Sequence, residues 1–550
     1  SELYLGGTIG SIAETTNLIN FTRGVDTFDE NLDGSTTDER WKLADIYNSN
    51  PTLVNNPSSG MDTADPNSDE YYRSQNGYKA FKDRWKGRAT TILAGSNGGM
   101  LHAFNNVDGS EKWAFIPPSL LPKLRNVNSG KANKTNSIYG VDGSPVVKDI
   151  FHNGAWKTVA VFGMGEGEHS YSALDITNID APKHMWTFKN DPSTQTVTYW
   201  NSVGTKTEEA YSSVTAARDY SKLGQAVSTP RIIRIQSGGN DKWVAIFGAG
   251  GNGGAATAYG SAVYIIDIAD GGKVVRKIDI ADKAGNKVTN SVIASMVPVT
   301  PDTTSTANYK GALVYFADFE SKLWKLNLTN KGTMYELQQL FDGEATDTNG
   351  RRVFHDVTLS LDDNSKLWAF FGTGDRYNIA DEDPQIKNRI LAIKDTNYPI
   401  FKSTAASVTA AKCKNVTSSA ASCPDASHQG WYVDLLANEK VTGSSAIMDR
   451  VVYFPRYIPN KLNPCNPGSA TLSAHAYTCG NTLKKFNLGS GMATSPIIYK
   501  GKIYIGISGA PGSGMGSGWT SKDNLIIGNT ISGSGGSSNS FSIKSWRQVF

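Results

Sequence analysis

The chain has 550 residues, of which 39% are hydrophobic and 10% aromatic, so it can bury a large core. Its 54 Lys and Arg nearly balance 51 Asp and Glu without a long basic block, which argues against a nucleic-acid partner because phosphate binding needs concentrated positive charge. No run approaches ~18 apolar residues, so no membrane-spanning helix is expected. The chain begins with Ser1 and carries no signal peptide, so we expect a piece of a larger, processed protein.

The first segment, residues 1–85, is polar and lacks a clear strand pattern. It contains the stretches DENLDGSTTDER and DTADPNSDE. We therefore expect an irregular lead-in that packs against a domain formed by residues 86–550.

A candidate calcium loop lies within this lead-in. Asp29, Asn31 and Asp33 place oxygen-bearing side chains at positions 1, 3 and 5, and Gly34 at position 6 permits the sharp turn that such loops need. Ser35, at position 7, would offer its main-chain carbonyl. Alternate residues of this pattern point inward, so the spacing indicates a site for Ca²⁺.

The end of this loop departs from the usual calcium pattern. Position 12 is Arg40 instead of Glu, so Asp38 or Glu39 must supply the closing carboxylate of a shortened loop. The alternative is an ordinary surface turn, because Asp, Asn and Gly are common in polar turns.

Beyond the lead-in, residues 90–117 have the pattern of most of one antiparallel β-sheet unit. Apolar runs alternate with a glycine turn and an Asp-Gly turn, which is typical of consecutive hairpins. The unit recurs, with starts spaced roughly 50 to 85 residues apart, which indicates insertions between strands. The seven units begin near Thr90, Val159, Val244, Leu313, Leu367, Val451 and Lys502.

Seven recurring sheet units predict an all-β fold, a modified seven-bladed β-propeller with long inter-strand insertions. Two insertions are residues 191–221 and 403–429. The closing sequence SWRQVF is able to return to the sheet.

The four cysteines lie in the last third of the chain and form no CxxC pair. Nearest-neighbour pairing, Cys413 with Cys423 and Cys465 with Cys479, would close two long insertions and would indicate an oxidising compartment. Four unpaired thiols in a cytosolic protein are the alternative.

Several motifs, taken in order, resemble the C-terminal domain of the PilC/PilY family of type IV pilus biogenesis and adhesion proteins. The resemblance covers nearly the whole chain. Its motifs are WKLADIYNSNPTLV at Trp41, YKAFKDRWKGR at Tyr78, SNGGMLHAF with GSEKWAFIP, YGVDGSPVVKD at Tyr139, WKTV at Trp156, ALD at Ala173, LGQAVSTPRI at Leu223, WVAIFG at Trp243, LVYFADFESKLWKLNL at Leu313 and SWRQVF.

The resemblance implies a non-enzymatic protein exported through the periplasm to the bacterial surface, at the pilus tip or outer membrane. It implies pilin or minor pilins and a host-cell receptor as partners, and roles in pilus assembly, in opposing retraction during twitching motility and in host attachment. It also implies calcium loops that tune retraction. The loop matching a second family site, residues 301–308, has one carboxylate, and we expect no tight calcium binding there.

Other polar motifs favour structural roles. Asp62, Asp65, Asn67 and Asp69 form a weaker acidic cluster for which we expect a solvated turn. His102, inside a predicted strand, is expected to be a hydrogen-bonded structural residue.

The alternative function is a quinoprotein-type dehydrogenase, a class that also forms propellers. Its repeat resembles A-x-D-x-x-T-G-x-x-x-W, of which the sequence FNNVDGSEKW, residues 104–113, has a trace. The repeat is clear only once, and neither an adjacent-Cys pair nor a convergent set of acids is visible, so we expect no enzyme.

Overall fold

The structure, a computed structural model, describes residues 12–131, 134–135, 138–251, 259–280, 290–346, 348–380, 382–404, 406–418, 420–460, 467–512 and 515–532. The SWRQVF motif and Cys465 lie outside them.

The described part of the lead-in, residues 12–85, contains three α-helices: α1 (Ile12–Thr22), α2 (Asp69–Gln75) and α3 (Tyr78–Trp85). Ser68 begins α2 by accepting a hydrogen bond from the Tyr71 amide, as expected for an N-cap serine. The lead-in is therefore partly helical, and the prediction of an irregular segment is wrong for these ranges.

The chain divides into two compact units, the first ending at Val292 and the second beginning at Ile293. The first unit holds three blades, with a small hairpin between the first and second. Its strands are β1 (Thr52–Val54), β2 (Thr91–Ser96), β3 (Met100–Asn105) and β4 (Glu111–Phe115); the hairpin β5 (Asn128–Lys131) and β6 (Lys134–Thr135); β7 (Val146–His152), β8 (Ala155–Gly163), β9 (Ser170–Asp175), β10 (Lys183–Asp191), β11 (Thr196–Trp200) and β12 (Lys206–Ala210); and β13 (Arg231–Ser237), β14 (Asn240–Gly248), β15 (Ala262–Asp267) and β16 (Lys273–Asp279).

The second unit holds four further blades. Its strands are β17 (Val297–Val299), β18 (Gly311–Ala317), β19 (Lys322–Thr329) and β20 (Leu337–Asp342); β21 (Thr358–Leu361), β22 (Leu367–Gly372), β23 (Arg389–Asp395), β24 (Lys414–Asn415) and β25 (Gly430–Asp434); β26 (Lys440–Val441), β27 (Ala446–Met448), β28 (Val451–Ile458), β29 (Ser469–Ala476) and β30 (Thr482–Ser490); and β31 (Ile497–Tyr499), β32 (Lys502–Gly506), β33 (Thr520–Lys522) and β34 (Leu525–Asn529).

These seven sheets confirm the predicted seven-bladed β-propeller. Counted in the order in which strands pair across each sheet, every predicted unit corresponds to the second strand of one blade and the strands that follow it. For example, β8 contains the predicted start at Val159. Among the second strands, β18 and β22 are buried at every residue. Strands buried on both faces give continuous apolar runs, which is why they are visible in the sequence.

The first strand of each blade was not predicted. Some of these strands, such as β1 and β17, have only three residues, a run with too little periodicity to recognise, whereas β7 and β13 have seven residues each. One of them changes the predicted boundary between the lead-in and the propeller. Strand β1 pairs with β2, with Leu53 opposite Ile92. The propeller therefore begins at Thr52, inside the segment predicted to be lead-in.

Tryptophans on the fourth strands of three blades connect each blade to the next one along the chain. Each indole N–H donates to a main-chain carbonyl in the turn between the third and fourth strands of the following blade. The bonds run from Trp113 to Ile179 (2.7 Å), from Trp186 to Ile268 (2.9 Å) and from Trp431 to Tyr477 (2.9 Å). Since Trp186 and Trp431 are fully buried, these bonds satisfy polar groups that water cannot reach.

The acidic cluster of the lead-in is not a simple solvated turn. Asp69 is buried and pairs with Arg234 of β13 at 2.9 Å, and it lies 3.6 Å from the Lys148 ammonium. Burial by itself would raise the pKa of Asp69, but Lys148 and Arg234 together hold it below its usual value. The expectation of a solvated turn is therefore wrong for Asp69, which anchors α2 to two blades.

The disulfide connectivity differs from the nearest-neighbour prediction. Cys423 pairs with Cys479, with 4.6 Å between their Cα atoms, and Cys413 is a buried free thiol. The bond joins the segment before β25 to the turn before β30, two regions 56 residues apart in sequence. Spacing alone favoured short loops, whereas the packing of two blades brings distant loops together.

Within the described ranges, no helix has both the length and the apolar character needed to cross a bilayer.

Candidate metal centre

The predicted calcium loop follows α1 and is closed at its base by main-chain bonds. The Asp26 amide donates to the Asp38 carbonyl at 2.9 Å, and the Arg40 amide donates to the Gly24 carbonyl at 3.0 Å. Gly24 has a φ of +101°, a left-handed backbone conformation that favours glycine. The closed base fixes the two ends of the loop side by side.

Arg40 holds this base against α1. Its Nε donates to Glu30 Oε2 at 3.1 Å, and both side chains are largely buried. The guanidinium also lies 3.9 Å from the centre of the Phe21 ring, within cation–π distance. The residue that breaks the calcium pattern at position 12 therefore has a structural role.

The side chains at positions 1, 3 and 5 fold inward onto main-chain amides. Asp29 Oδ1 accepts from the Gly34 amide at 3.3 Å, Asn31 Oδ1 from the Asp33 amide at 3.2 Å, and Asp33 Oδ1 from the Ser35 amide at 2.8 Å. Gly34 adopts a φ of +84°. These bonds give the loop a tight, inward-facing turn.

Asp38 converges on the same region. The Asn31 side-chain amide donates to Asp33 Oδ2 at 3.1 Å and to Asp38 Oδ2 at 3.4 Å. Asp38 Oδ1 is buried and has no hydrogen-bond donor. A buried carboxylate oxygen without a donor is costly, and a cation is the ordinary way to compensate it. The donor set of carboxylate and amide oxygens has the hard-oxygen chemistry that Ca²⁺ prefers.

The structure places the remaining two candidates differently. Glu39 is 87% exposed at its side chain and lies 3.7 Å from the Lys42 ammonium, so it points away from the loop interior. Ser35 uses its hydroxyl to accept from the Thr37 amide at 3.4 Å. Of the two candidate closing carboxylates, Asp38 is the one that faces the other acids.

In the described part of the chain, no three or more His, Cys, Asp or Glu side chains are grouped so that they could hold a metal ion. Asp29, Asp33 and Asp38 therefore do not form such a group by themselves, and a cation in this loop would also need Asn31 and main-chain oxygens. Calcium sites commonly combine such ligands.

A cavity of about 170 Å³ lies beside the base of the loop. Phe21, Glu30 and Arg40 line it from the loop side, and Met100 and Leu124 from blade 1 and the segment after it. Trp41, also on its lining, is 83% exposed. The loop base and an exposed aromatic side chain thus adjoin the same small cavity.

The loop of residues 301–308, which matches a second family site, is held by hydrogen bonds within the protein. In residues 301–308, Thr303 Oγ1 donates to the Thr300 carbonyl at 2.5 Å, and Thr306 Oγ1 lies 2.8 Å from the Tyr398 hydroxyl. Hydroxyl groups therefore contribute to holding this loop in place.

His102 joins three strands of blade 1. Its Nε2 lies 2.8 Å from Ser96 Oγ and its Nδ1 lies 2.5 Å from Glu111 Oε1. Ser96 and His102 are both almost fully buried, so a substrate has no access to the hydroxyl. The arrangement has the order of a catalytic triad but acts as a strand-to-strand hydrogen-bond network.

Taken together, these observations define a seven-bladed β-propeller that carries a candidate metal loop on its lead-in. A profile of the PilY1 β-propeller domain matches residues 43–417, so the chain belongs to the PilY1 β-propeller family. This confirms the resemblance seen in the sequence.

Relatives and a solved structure agree with this assignment. The type IV pilus biogenesis factor PilY1 of Pseudomonas aeruginosa strain PAO1 is 26% identical over 86% of this chain, and that of strain UCBPP-PA14 is 28% identical over 56%. The chain spans 42% and 22% of their lengths, less than half in each case. The crystal structure of the Pseudomonas aeruginosa PilY1 C-terminal domain aligns with a TM-score of 0.58 and 19% identity, covering 87% of this chain and 99% of that one.

Proposed function

We propose that this protein is a non-enzymatic component of the type IV pilus that promotes pilus assembly and counteracts retraction. The observation that carries the proposal is the family match over residues 43–417, because relatives that align with most of this chain are named type IV pilus biogenesis factors and not enzymes. Its partners in this role are pilin or minor pilins, and its location is the cell surface, at the pilus tip or outer membrane.

We further propose that Ca²⁺ binds the loop of Asp29, Asn31, Asp33 and Asp38 and modulates retraction. The buried, donor-free Asp38 Oδ1 supports this proposal, because a cation would compensate it. Asp29 and Asp33 would supply further negative charge, and main-chain oxygens would supply the remaining ligands. Calcium would stiffen the turn between α1 and the first blade.

We also propose that the protein mediates adhesion to host cells. Exposed aromatic side chains on a rigid scaffold suit protein recognition, because Trp and Tyr dominate interface hot spots. Trp41 is 83% exposed and Tyr47 is 69% exposed, and both follow the candidate calcium loop. This part of the lead-in is the surface that we assign to partner recognition.

Gene deletion and complementation test the pilus function. We expect the deletion strain to lose surface pilin and twitching zones, and the wild-type gene to restore both. A strain complemented with Asp29→Ala/Asp33→Ala should still assemble pili, while its twitching should no longer respond to calcium chelation.

Asp108→Ala is the matched control, since Asp108 is an exposed turn carboxylate in blade 1. It should behave as wild type. Normal pili and normal twitching in the deletion strain would contradict the proposed function, whereas a calcium response unchanged in the double variant would contradict only the calcium role.

The quinoprotein alternative has a direct spectroscopic test. A dehydrogenase of that class would carry a quinone absorbance band after purification, and we expect none from this protein. A quinone band with alcohol-dependent dye reduction would overturn the non-enzymatic proposal.

A further inference from the structure

Lys325 and Asp395 form an ion pair in the interior of the second unit. Lys325 lies on β19 and Asp395 ends β23, in consecutive blades. The Lys325 Nζ is 2.6 Å from Asp395 Oδ2, and the two side chains are 0% and 3% exposed. Burying two charges so completely is costly unless every polar atom is satisfied, so this pair calls for a physical explanation.

We propose that Lys325 and Asp395 condense to an intramolecular isopeptide bond that joins the fourth and fifth blades. The amine and the carboxyl group are already in contact, and both are shielded from water. Holding two reacting groups in this way replaces a bimolecular encounter by a unimolecular step.

The surroundings of Asp395 Oδ1 have the geometry of an oxyanion hole. The main-chain amides of Asn397 and Tyr398 donate to this oxygen at 2.9 and 3.1 Å. Two such donors would stabilise the negative charge that develops on a carbonyl oxygen during attack by an amine. The same two bonds would persist to the carbonyl oxygen of the amide product.

The other carboxyl oxygen, Oδ2, is placed as the leaving group. The Tyr315 hydroxyl, which is fully buried, donates to Oδ2 at 2.7 Å. A phenol at this position can pass a proton to the departing oxygen. Lys325 is thus on the side of Oδ2, and the stabilising amides are on the side of Oδ1.

The nitrogen is held in a matching way. Lys325 Nζ donates to the Ile400 carbonyl at 2.8 Å, so one hydrogen already has the acceptor that the product amide N–H would need. Burial lowers the pKa of Lys325, and the Asp395 charge only partly opposes this, which makes the neutral amine more accessible.

The step balances without a further reactant. Proton transfer from the ammonium to Oδ2 gives a neutral amine and a carboxylic acid. The amine attacks Asp395 Cγ, forming one C–N bond and a tetrahedral centre whose charge rests on Oδ1. Tyr315 relays a proton from nitrogen to Oδ2, the C–Oδ2 bond breaks, and one water molecule leaves.

Mass spectrometry of the reduced, denatured protein decides the proposal. We expect the intact mass to be lower than the sequence mass by one water, and a digest to contain a branched peptide with Lys325 joined to Asp395. Full sequence mass, or water lost at any other position, would overturn it. The measurement needs no variant, so a variant that fails to fold leaves the test intact.

Cyclisation at an Asp-Gly pair such as Asp108-Gly109 also loses one water and must be separated from the proposed bond. Hydroxylamine cleaves the chain at such cyclic imides, whereas an isopeptide amide should resist it. Lys325→Met and Asp395→Ala should each restore the full mass, and Tyr315→Phe should slow the water loss after refolding. Water loss that survives both Lys325→Met and Asp395→Ala would contradict the assignment.

Discussion

Asp38 and Glu39 are adjacent carboxylates with opposite surroundings. Asp38 faces Asn31 and has a buried oxygen without a donor, whereas Glu39 extends into solvent beside Lys42. A ligand in this loop would interact with the first of them far more strongly than with the second, because solvent screens exposed charges.

This contrast gives a matched pair of variants. Asp38→Asn should weaken calcium binding at least about tenfold, because calcium affinity depends on the number of charged ligands. Glu39→Gln, a change of the same kind one residue away, should leave the affinity within about twofold. Isothermal titration calorimetry with CaCl₂ measures both. Equal losses in the two variants would show that Asp38 does not close the loop.

Another buried side chain, His475 of β29, makes stability depend on pH. Its Nδ1 lies 3.0 Å from the Gly480 carbonyl, and burial lowers its pKa to about 4. In the unfolded chain, His475 has the usual histidine pKa of about 6.5. As the pH falls, His475 is therefore protonated in the unfolded state before it is protonated in the folded state. The stability contributed by neutral His475 is therefore present above pH ~6.5 and lost as the pH falls toward 4.

We expect this loss to be about 3 kcal/mol between pH 6.5 and pH 4. Urea denaturation at several pH values measures it, and His475→Gln, whose amide can still donate to Gly480, should remove that part of the slope. An identical pH dependence in the variant and the wild type would exclude His475 as its source.

Among the elements, the turns between third and fourth strands connect neighbouring blades. Gly272, in the turn before β16, has a φ of +68°, and a Cβ there would lie 2.9 Å from Trp186 Cδ2. The same Trp186 donates to Ile268 in this turn. Backbone conformation and close packing against the indole both require glycine here.

Gly272→Ala should therefore lower the free energy of unfolding by more than the unfavourable backbone conformation alone would. Gly109, in the equivalent turn of blade 1, has a φ of +74° but open space around its Cβ position, and it is the control. We expect Gly272→Ala to be less stable than Gly109→Ala by about 1 to 3 kcal/mol because of overpacking. Urea denaturation followed by tryptophan fluorescence compares them. Equal losses would mean that Trp186 moves aside at no cost.

At the scale of the whole molecule, covalent connections between blades add to packing. The Cys423–Cys479 bond closes 56 residues between the fifth and sixth blades. Constraining a loop of this length in the unfolded chain stabilises the folded state by about 4 kcal/mol in the chain-entropy model. If Lys325 and Asp395 condense, the fourth and fifth blades are covalently joined as well.

Removing the disulfide tests its contribution. Cys423→Ser/Cys479→Ser should lower the free energy of unfolding by about 4 kcal/mol. Cys413→Ser is the control, because Cys413 is a free thiol and no cross-link is lost. Peptide mapping without reduction should recover Cys423 joined to Cys479. A Cys413–Cys423 peptide would contradict the connectivity of the structure.

The sequence predicted features that show as burial within one strand, and it missed features that depend on contacts between residues far apart in the chain. The seven second strands were located because strands buried on both faces, such as β18, are continuous apolar runs. Short first strands such as β1 were not predicted, and neither were the Trp bonds between blades. FNNVDGSEKW was interpreted only as a trace of a quinoprotein repeat. A Trp in the fourth strand of several units was the available signal.

The candidate calcium loop was visible because its residues are adjacent in sequence, so local spacing predicts which side chains point inward. The selection of Asp38 over Glu39 was not visible. It depends on the main-chain bonds that close the loop base, of which the Asp26 amide to Asp38 carbonyl bond is one.

By itself, the amino-acid sequence determined the all-β class, the number of blades and the family. All of these depend on patterns within short stretches of chain, where side-chain spacing and burial are coupled directly. Only the tertiary structure decided the Cys423–Cys479 pairing, the buried Asp69–Arg234 pair and the contact of Lys325 with Asp395. These join residues far apart in sequence, and their proximity results from the packing of one blade on the next, which no local pattern records.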